Sequence, residues 1–544
     1  MDFEAVVVGS GFGGSVSAYR LAKAGLSVCL LERGRSYPPG SFPRSPKELG
    51  ENFWDPDNRL YGMFDIWSFR HLEALVSSCL GGGSIIYANV FIRKDHNWFV
   101  HVDGEQWPVT REELEPHYDE VEGIIVPHSY PFEAVPYSDT PKTRAMREAA
   151  AAGGLDWQLP KLTITFGNDP AAPVPGEPLD APPNLHHARR YGCRLIGECN
   201  IGCNFGSKNS LDFNYLSRFA EFTGSELRTL CEVKRFASQR GGFTVEYVQH
   251  PSGERQTISC RRLVLAAGSL GSTYLLLRNA SSFPQLSKRL GTQFSGNGDL
   301  LGFLTRARKR GHGTVEPRLL DAAYGPVITS FIRYADEVDG GTGRGHYVED
   351  GGYPQFASWI VETAALPNSF VRALRFAYHR LVDILTRSPH SNLSAEIAAL
   401  VGDGSRSGAT LPLLGIGREY PSGKMYLRDE KWLALDWNAK RSEGYYRSLR
   451  NSMRQIGAAL DARYRDNAVW YFRRAVTVHP LGGCPMAITS DEGVVDAYGQ
   501  VFGYPGLSVA DGAVMPGTVG PNPSFTIAAL ANRFADRTIE TPAR

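Results

Sequence analysis

The apolar and polar positions at the start of the chain predict a strand, a helix and a second strand. Ala5–Val8 is a short, continuous apolar run, which is typical of a strand buried on both faces. Ser15–Ala24 is amphipathic at helical spacing, and Ser27–Leu31 is a second strand-like run. A glycine-rich turn separates the first strand from the helix. This order is that of a βαβ unit in an α/β domain.

Later segments repeat this pattern. Residues 262–280 predict a buried strand, a glycine turn and a helix, and residues 470–544 predict strands, tight turns and a final helix. Residues 36–60 and 167–190 are rich in turn-forming residues and are predicted to be irregular. Residues 304–470 mix strand-like and amphipathic segments. The sequence therefore predicts one α/β domain assembled from separated segments, with a second domain inserted between them.

Composition narrows the class of protein. At 544 residues the chain exceeds what one hydrophobic core covers, and its net charge of +1 gives no basis for binding nucleic acid or a charged membrane. No apolar run reaches the ~18 residues of a spanning helix. Because a core strand follows Met1 within a few residues, we expect no signal peptide and a cytoplasmic protein. The 8 cysteines follow no secreted framework, so reduced thiols are expected. The oligomeric state, monomer or homo-oligomer, stays open.

The first glycine turn has the spacing of a dinucleotide site. Gly9, Gly11 and Gly14 form G-x-G-x-x-G directly after a strand and before a helix, which is the context that makes this motif credible. The helix N-terminus suits a diphosphate, and Glu32 at the end of the second strand suits ribose hydroxyls. A carboxylate there disfavours the 2′-phosphate of NADP. The remaining choice is between NAD and FAD.

Three distant glycine segments favour FAD. Gly81–Gly83 precede Ser84 and Asn89, and they allow backbone to lie against a flat group. Asp511 and Gly512 follow a short strand before the last helix, and the turn within 262–280 adds a third segment. An NAD site has no need of these segments, whereas an extended FAD does.

Stretches spread over residues 5–530 resemble the glucose–methanol–choline (GMC) flavoprotein oxidoreductases, and among them the cholesterol oxidase-like branch. They are, in order, VVVGSGFGGSVSAYRLAKAG, GGGSIIYANV, CNIGCNFGSKNSLDFNYL, LVLAAGSLGSTYLLL, LSKRLG, HPLGGC and GVVDAYGQVFGYPGLSVADGAVMPGTVGPNPSFTIAAL. The resemblance implies a discontinuous Rossmann-like FAD-binding domain and a substrate domain whose antiparallel sheet roofs the flavin. No residue indicates a covalent link, so we expect non-covalent FAD.

The resemblance also implies the active site. In such enzymes the histidine of the HPLGG loop faces the flavin together with an asparagine of the C-terminal NP turn, and here these are His479 and Asn522. Oxidation of an alcohol moves a hydride from carbon to flavin N5 while the hydroxyl proton leaves. An imidazole can accept that proton near neutral pH, and a carboxamide can orient the oxygen without becoming charged.

The expected cofactor contacts and domain bounds follow from the same motifs. The residues expected to bind FAD are Gly9, Gly11, Phe12, Gly13, Gly14, Glu32, Arg33, Gly81, Gly82, Gly83, Ser84, Asn89, Ala267, Asp511, Gly512 and Pro523. The FAD-binding domain is expected at 1–40, 205–303 and 470–544, with 76–93 also touching FAD, and the substrate-binding domain at 41–204 and 304–469.

Two further sets of residues have a less specific signal. Some cholesterol oxidases place a glutamate beside the steroid ring for isomerisation of a double bond. The corresponding region here offers Glu349 and Glu362, for which a solvated carboxylate is the favoured interpretation. Cys193, Cys199 and Cys203 have spacings compatible with an iron–sulfur cluster, as in some sugar dehydrogenases of the superfamily. Reduced buried thiols, with no metal, are favoured over a cluster.

Three functional hypotheses follow. The first is FAD-dependent oxidation of a bulky, hydrophobic, sterol-like alcohol, with dioxygen or another electron acceptor closing the cycle. The second is a sugar or glycoside dehydrogenase that passes electrons to an acceptor other than oxygen. The third is a flavin-binding protein without catalysis, against which the presence of both His479 and Asn522 argues. The branch of the resemblance and the aromatic and aliphatic residues of 304–470 favour the first.

Overall fold

The structure is a computed structural model, and it describes residues 1–99, 105–311, 314–353, 408–467, 470–471 and 474–540. Glu362 and the amphipathic stretch at 368–385 lie outside these residues. The strands are β1 (Phe3–Val8), β2 (Val28–Leu31), β3 (Trp54–Asp55), β4 (Leu60–Tyr61), β5 (Phe64–Ser68), β6 (Leu72–Ser77), β7 (His128–Ser129), β8 (Asp156–Gln158), β9 (Lys161–Leu162), β10 (Ser225–Arg228), β11 (Cys231–Gln239), β12 (Gly242–Gln249), β13 (Glu254–Leu265), β14 (Leu300–Thr305), β15 (Arg308–Gly311), β16 (Thr314–Pro317), β17 (Phe331–Tyr334), β18 (His346–Asp350), β19 (Leu411–Gly417), β20 (Lys424–Arg428), β21 (Trp432–Asp436), β22 (Arg463–Asp466), β23 (Ala475–Thr477) and β24 (Leu507–Val509).

The α-helices join and cover these strands. They are α1 (Phe12–Lys23), α2 (Pro46–Gly50), α3 (Gly83–Ile86), α4 (Arg111–Ile125), α5 (Pro141–Gly153), α6 (Tyr215–Phe219), α7 (Gly268–Arg278), α8 (Glu443–Ala459) and α9 (Ser524–Glu540). Within the described ranges, no helix combines the length and the apolar character that crossing a bilayer requires.

The larger sheet forms the predicted α/β unit. Its order is β10–β2–β1–β13–β12–β11, and β24 pairs with the C-terminal part of β13. The strands β10, β2, β1, β13 and β24 run parallel to one another, whereas β11, β12 and β13 form an antiparallel meander. The predicted strand, helix and strand are β1, α1 and β2, and the segment predicted at 262–280 is the end of β13 followed by α7. The α/β prediction is therefore confirmed.

The central parallel strands are buried because helices cover them. All of β2 is buried, as is every residue of β1 except Glu4. Val6 of β1, Val16 of α1 and Ala529 of α9 belong to one hydrophobic core, in which α1 packs against α9. Burial on both faces explains why these strands are continuous apolar runs in the sequence.

A six-stranded antiparallel sheet forms the second layer, as the resemblance implied. Its order is β22–β14–β19–β18–β17–β8. One face packs on α8 and α5 through residues such as Leu304 and Leu449. The opposite face presents Leu301 and Phe303 from β14 to a cavity. This face positions the site described below.

One prediction about local structure is wrong. Residues 36–60 were predicted to be irregular, but they contain α2 and the β3–β4 hairpin. The Ser45 hydroxyl accepts a hydrogen bond from the Glu48 N–H at 3.2 Å and caps the N-terminus of α2. The Ser-x-x-Glu spacing is a helix-start signal that the high turn content obscured.

Candidate active site

Three parallel strands end side by side at one edge of the larger sheet. Gly9 follows β1, Ala267 lies just after the end of β13, and Asp511 lies just after the end of β24. The carboxyl ends of parallel strands are where open α/β sheets bind ligands. The Asp511 carboxylate accepts hydrogen bonds from the Gly268 N–H at 2.9 Å and the Ser272 hydroxyl at 2.5 Å, which ties two of these strand ends together. Burial raises the pKa of Asp511 to about 6, against the opposing effect of these donors.

The glycines of the first turn allow backbone segments to approach closely. A Cβ added at Gly13 would lie 1.5 Å from the Ala510 carbonyl oxygen, and one at Gly9 would lie 2.4 Å from that of Ala266. A Cβ at Gly82 would lie 2.6 Å from Gly11 Cα. The glycine segments at 9–14 and 81–83, which are distant in the sequence, are therefore in contact.

Glu32 is held by the backbone around the first turn. Its carboxylate accepts hydrogen bonds from the Ser10 N–H at 2.9 Å, the Ser10 hydroxyl at 2.6 Å and the Gly34 N–H at 2.8 Å. Its neighbour Arg33 forms an ion pair of 2.6 Å with Asp65. Glu32 and Arg33 both line the cavity, so the carboxylate predicted to bind ribose is within reach of a ligand there.

A single cavity of about 1060 Å³ runs along these segments. It extends from Glu32, past the first glycine turn, to the HPLGG loop and the NP turn. The predicted site residues that line it are Gly9, Gly11, Phe12, Gly13, Glu32, Arg33, Gly82, Gly83, Ala267, His479, Asp511, Gly512, Asn522 and Pro523. The structure thus brings together most of the residues predicted from the sequence.

Four of the residues predicted to contact FAD do not line the cavity, namely Gly14, Gly81, Ser84 and Asn89. Their contact with a cofactor stays a prediction. Gly14 packs α1 on β1, since a Cβ there would lie 1.9 Å from the Gly9 carbonyl oxygen. The Ser84 hydroxyl donates a hydrogen bond of 2.7 Å to the Gly81 carbonyl. Asn89 is fully buried with a φ of +70°, and its side-chain amide has no hydrogen-bond partner among the described residues.

His479 and Asn522 lie at the other end of the cavity. The His479 Nδ1 atom is 2.8 Å from the Asp299 carboxylate, which is itself buried. A carboxylate only accepts hydrogen bonds, so Nδ1 carries the hydrogen and neutral His479 has an acceptor at Nε2. The Asn522 side chain is buried, and its Oδ1 has no partner within the described part of the chain. An acceptor and a carboxamide are therefore both available to a bound hydroxyl.

The six-stranded sheet supplies an apolar roof to this end of the cavity. Leu301 and Phe303 of β14 and Pro412 and Leu414 of β19 line it from the same face. Glu349 of β18 pairs with Leu414 and points from this face, but it lies behind the lining. The roof therefore favours an apolar ligand.

The expectation of a solvated carboxylate is wrong for Glu349. The residue is fully buried, and neither carboxyl oxygen has a hydrogen bond from the residues that the structure describes. Burial raises the pKa of Glu349 to about 8, Asn522 opposes the shift, and the charges of Asp350 and Asp299 add to it. Glu349 is therefore protonated at neutral pH.

The cysteines of the central loop are the residues considered for an iron–sulfur cluster. All three of Cys193, Cys199 and Cys203 are free thiols, and burial raises the pKa of Cys193 and Cys199. Within the described ranges, no group of three or more His, Cys, Asp or Glu side chains is arranged to hold a metal ion.

Sequence reasoning missed Asp299 and the neighbouring Asn297. Both belong to the segment SGNGD at 295–299, just before β14. Asp299 contacts a residue 180 positions away, so no local pattern reveals it. The one available signal was the polar Asn-Gly-Asp sequence immediately before an alternating strand.

Comparison with known proteins identifies the class. The C-terminal model of the GMC oxidoreductases matches residues 431–531, their N-terminal model matches residues 182–294, and an NAD(P)-binding Rossmann-like model matches residues 7–41. These matches include the first glycine turn, the HPLGG loop and the NP turn. The chain therefore matches both the N-terminal and the C-terminal models of the GMC oxidoreductases.

Individual relatives extend over nearly the whole chain. The cholesterol oxidase of Mycobacterium tuberculosis is 29% identical, with 98% of this chain and 90% of the relative covered. That of Acinetobacter baumannii is 26% identical, with 98% and 93% covered. The crystal structure of pyridoxine 4-oxidase from Mesorbium loti has a TM-score of 0.60 at 17% identity and covers 99% of both chains, which shows a shared fold.

FAD, the cofactor of this family, fits the residues present. The cavity is lined by both the Glu32 carboxylate and the His479 imidazole, and its volume is at the upper limit of ordinary ligand sites. The N-terminus of α1 opens into it at Gly11 and Phe12, where exposed N–H groups suit a diphosphate. When bound, FAD supplies an acceptor for a hydride.

Proposed function

We propose that this enzyme oxidises the hydroxyl group of a bulky, hydrophobic, sterol-like alcohol, with non-covalent FAD as the hydride acceptor and dioxygen or another acceptor closing the cycle. His479 and Asn522 are the catalytic residues. The FAD-binding domain comprises 1–40, 205–303 and 470–544, and the substrate domain comprises 41–204 and 304–469. The cofactor contacts are those predicted from the sequence.

One observation carries the proposal. His479 and Asn522 line the same cavity as the glycine turn at residues 9–14, directly below an apolar sheet face. The Nε2 atom of His479 accepts the hydroxyl proton while the carbon loses its hydride, and the Asn522 amide holds the oxygen as it becomes a carbonyl. The similarity to cholesterol oxidases over 98% of the chain supports a sterol-like substrate.

The proposal is tested by anaerobic mixing of the flavin-loaded enzyme with a sterol, a long-chain primary alcohol and a sugar. The sterol should bleach the visible flavin band fastest, because the roof residues Leu301, Phe303 and Leu414 offer apolar contacts and few hydrogen bonds. Bleaching by the sugar alone would establish the dehydrogenase alternative. Bleaching by none of a wide range of alcohols would support the flavin-binding protein without catalysis.

The catalytic roles predict the effect of two substitutions. His479→Ala should lower the limiting rate of flavin reduction by ~10²–10⁴-fold, because it removes the proton acceptor. Asn522→Ala should lower it by ~10²–10³-fold, because it removes a group that stabilises the developing carbonyl. Stopped-flow measurement of flavin bleaching checks both. If either variant reduces its flavin at the unchanged rate, the role assigned to that residue is wrong.

A further inference from the structure

One short segment contacts both catalytic loops. Residues 295–299, here called the bridging segment, lie directly before β14 and are almost fully buried. Ser295 pairs with Leu481 of the HPLGG loop through two backbone hydrogen bonds, of 3.0 and 2.9 Å. Asn297 and Asp299 then extend their side chains in two directions, each toward one of the loops.

Asp299 holds the loop that carries His479. Its Oδ1 atom is 2.8 Å from His479 Nδ1, and its Oδ2 atom accepts hydrogen bonds from the Thr477 hydroxyl and the Val478 N–H, each at 2.8 Å. The Gly296 carbonyl oxygen is a second acceptor near this hydroxyl, at 3.1 Å. The carboxylate therefore fixes both the backbone of the loop and the orientation of the imidazole.

Asn297 holds the loop that carries Asn522. Its Oδ1 atom accepts hydrogen bonds from the N–H groups of Val519 and Gly520, both at 3.0 Å. Its Nδ2 atom donates to the carbonyls of Gly520 at 3.3 Å and Pro521 at 3.0 Å. The Asn297 side chain thus forms hydrogen bonds with two N–H groups and two carbonyls of the turn immediately before Asn522.

The backbone of the bridging segment is itself constrained. Asn297 has a φ of +52° and Gly298 a φ of +71°, a conformation that favours asparagine and glycine. A Cβ at Gly298 would lie 2.2 Å from the Tyr445 hydroxyl, which donates to the Gly298 carbonyl at 3.0 Å. The Glu419 carboxyl group accepts the Gly296 N–H at 2.5 Å. These contacts leave the segment little freedom to move.

We propose that the bridging segment is the element that positions His479 and Asn522 relative to each other, with Asp299 also selecting the tautomer of His479 that accepts the substrate proton. Asp299 and Asn297 are positioning residues in this scheme. The inference rests on the proposed function of His479 and Asn522. It attributes the arrangement of these two residues to Asp299 and Asn297, which neither touch the substrate hydroxyl nor accept its proton.

The tautomer argument makes a specific prediction for Asp299→Asn. The Val478 N–H is a donor only, so the new amide oxygen occupies the Oδ2 position and the amide NH₂ faces His479 Nδ1. Nδ1 then becomes the acceptor and Nε2 carries the hydrogen. The imidazole stays in place but loses its capacity to accept the hydroxyl proton.

Two measurements test the role proposed for Asp299. In Asp299→Asn the limiting rate of flavin reduction should fall by ~10²-fold or more, while the flavin content and the dissociation constant of the substrate stay unchanged. ¹⁵N NMR of histidine-labelled protein, without substrate, should show the hydrogen of His479 moving from Nδ1 to Nε2. Asp350→Asn is the matched control, since Asp350 is equally buried but bonds to Thr329 and Ser330.

Double-mutant cycles test the positioning role of both residues. Asp299→Asn should add little further loss in a His479→Ala background, and Asn297→Ala should add little in an Asn522→Ala background. Full additivity in either cycle would overturn the inference for that residue. An Asp299→Asn enzyme with an unchanged reduction rate and an unchanged NMR tautomer would overturn it for the imidazole.

The outcomes also separate this inference from the proposed function. If His479→Ala reduces its flavin at the normal rate, the proposed function fails. If His479→Ala is slow but Asp299→Asn and Asn297→Ala are both as fast as the unsubstituted enzyme, only the inference about the bridging segment fails.

Discussion

Glu349 is a carboxylic acid enclosed in the sheet that roofs the cavity. It lies in a row across the sheet formed by Phe331, Glu349, Leu414 and Leu301, which are neighbours in the strand register. An ionised carboxylate in such surroundings is costly, so the group remains protonated over a wide pH range. The Asn522 side chain, which lines the cavity, is the polar group that lowers the pKa of Glu349 and so partly offsets the effect of burial.

This burial predicts a pH dependence of stability. The folded protein retains the Glu349 proton up to a pKa of about 8, whereas an unfolded glutamate loses it near its ordinary value of 4.5. Between these values the folded state binds one more proton, so stability falls as pH rises, by ~1.4 kcal/mol per pH unit for this group. Glu349→Gln should remove this component from melting temperatures of the flavin-free protein.

The control for Glu349→Gln is Glu254→Gln, a substitution at an exposed glutamate. It should leave the pH dependence of the melting temperature as in the unsubstituted protein. If Glu349→Gln shows the same fall in melting temperature with rising pH as the unsubstituted protein, the carboxyl group is ionised in the folded state and our account of the roof is wrong.

The turn between β1 and α1 is an element in which each glycine has a separate task. Gly13 lets α1 approach the end of β24, because its added Cβ would overlap the Ala510 carbonyl. A Cβ added at Gly11 would meet nothing within 4 Å among the residues that the structure describes, and the φ of −69° is open to any residue. The protein itself therefore does not require a glycine at position 11. A bound diphosphate does, because backbone must approach it closely.

This difference predicts opposite results for two substitutions. Gly13→Ala should lower the melting temperature of the flavin-free protein, since the overlap costs ~1–3 kcal/mol or more. Gly11→Ala should leave that melting temperature unchanged but weaken FAD binding by about tenfold or more, because a methyl group would occupy the diphosphate path. Fluorescence titration with FAD and thermal melts check both.

Gly123→Ala provides the reference for the two glycine substitutions. Gly123 lies within α4, where an added Cβ meets nothing within 4 Å in the described part of the chain. The change should leave FAD affinity unaltered and stability equal or slightly higher. A Gly11→Ala protein that binds FAD with full affinity would exclude the first glycine turn from the cofactor path.

At the scale of the whole molecule, the cofactor cavity joins the two layers. The three parallel strand ends form one side and the antiparallel roof forms another. A ligand that fills the cavity binds the folded protein and has no site on the unfolded chain. Its binding free energy is therefore added to the stability of both layers at once.

The flavin-free protein should consequently gain stability from FAD but not from nicotinamide dinucleotides. At a free FAD concentration one hundred times its dissociation constant, the gain should be ~2.7 kcal/mol, with a melting temperature that keeps rising with concentration. NADP should give no shift, because Glu32 disfavours a 2′-phosphate. A shift produced by NAD or NADP and not by FAD would contradict the assignment of the cofactor.

The sequence predicts local elements well, but it predicts contacts between distant segments poorly. β1, α1 and β2 were predictable because each is a short local pattern joined by a turn with a specific motif. The roof was predictable only through the family resemblance, because its strands come from positions between 156 and 466. Asp299 and Asn297 were not predictable, because their contacts exist only after the chain has brought segments 180 or more residues apart together.

The separation of the three strand ends along the chain has a consequence for biosynthesis. The cofactor site uses the ends of β1 at Val8, β13 at Leu265 and β24 at Val509. At translation rates of ~5–20 residues per second, the last of these emerges about 25–100 s after the first. The nascent polypeptide therefore lacks a complete nucleotide site until β24 has been made, and we expect full flavin binding only after that point.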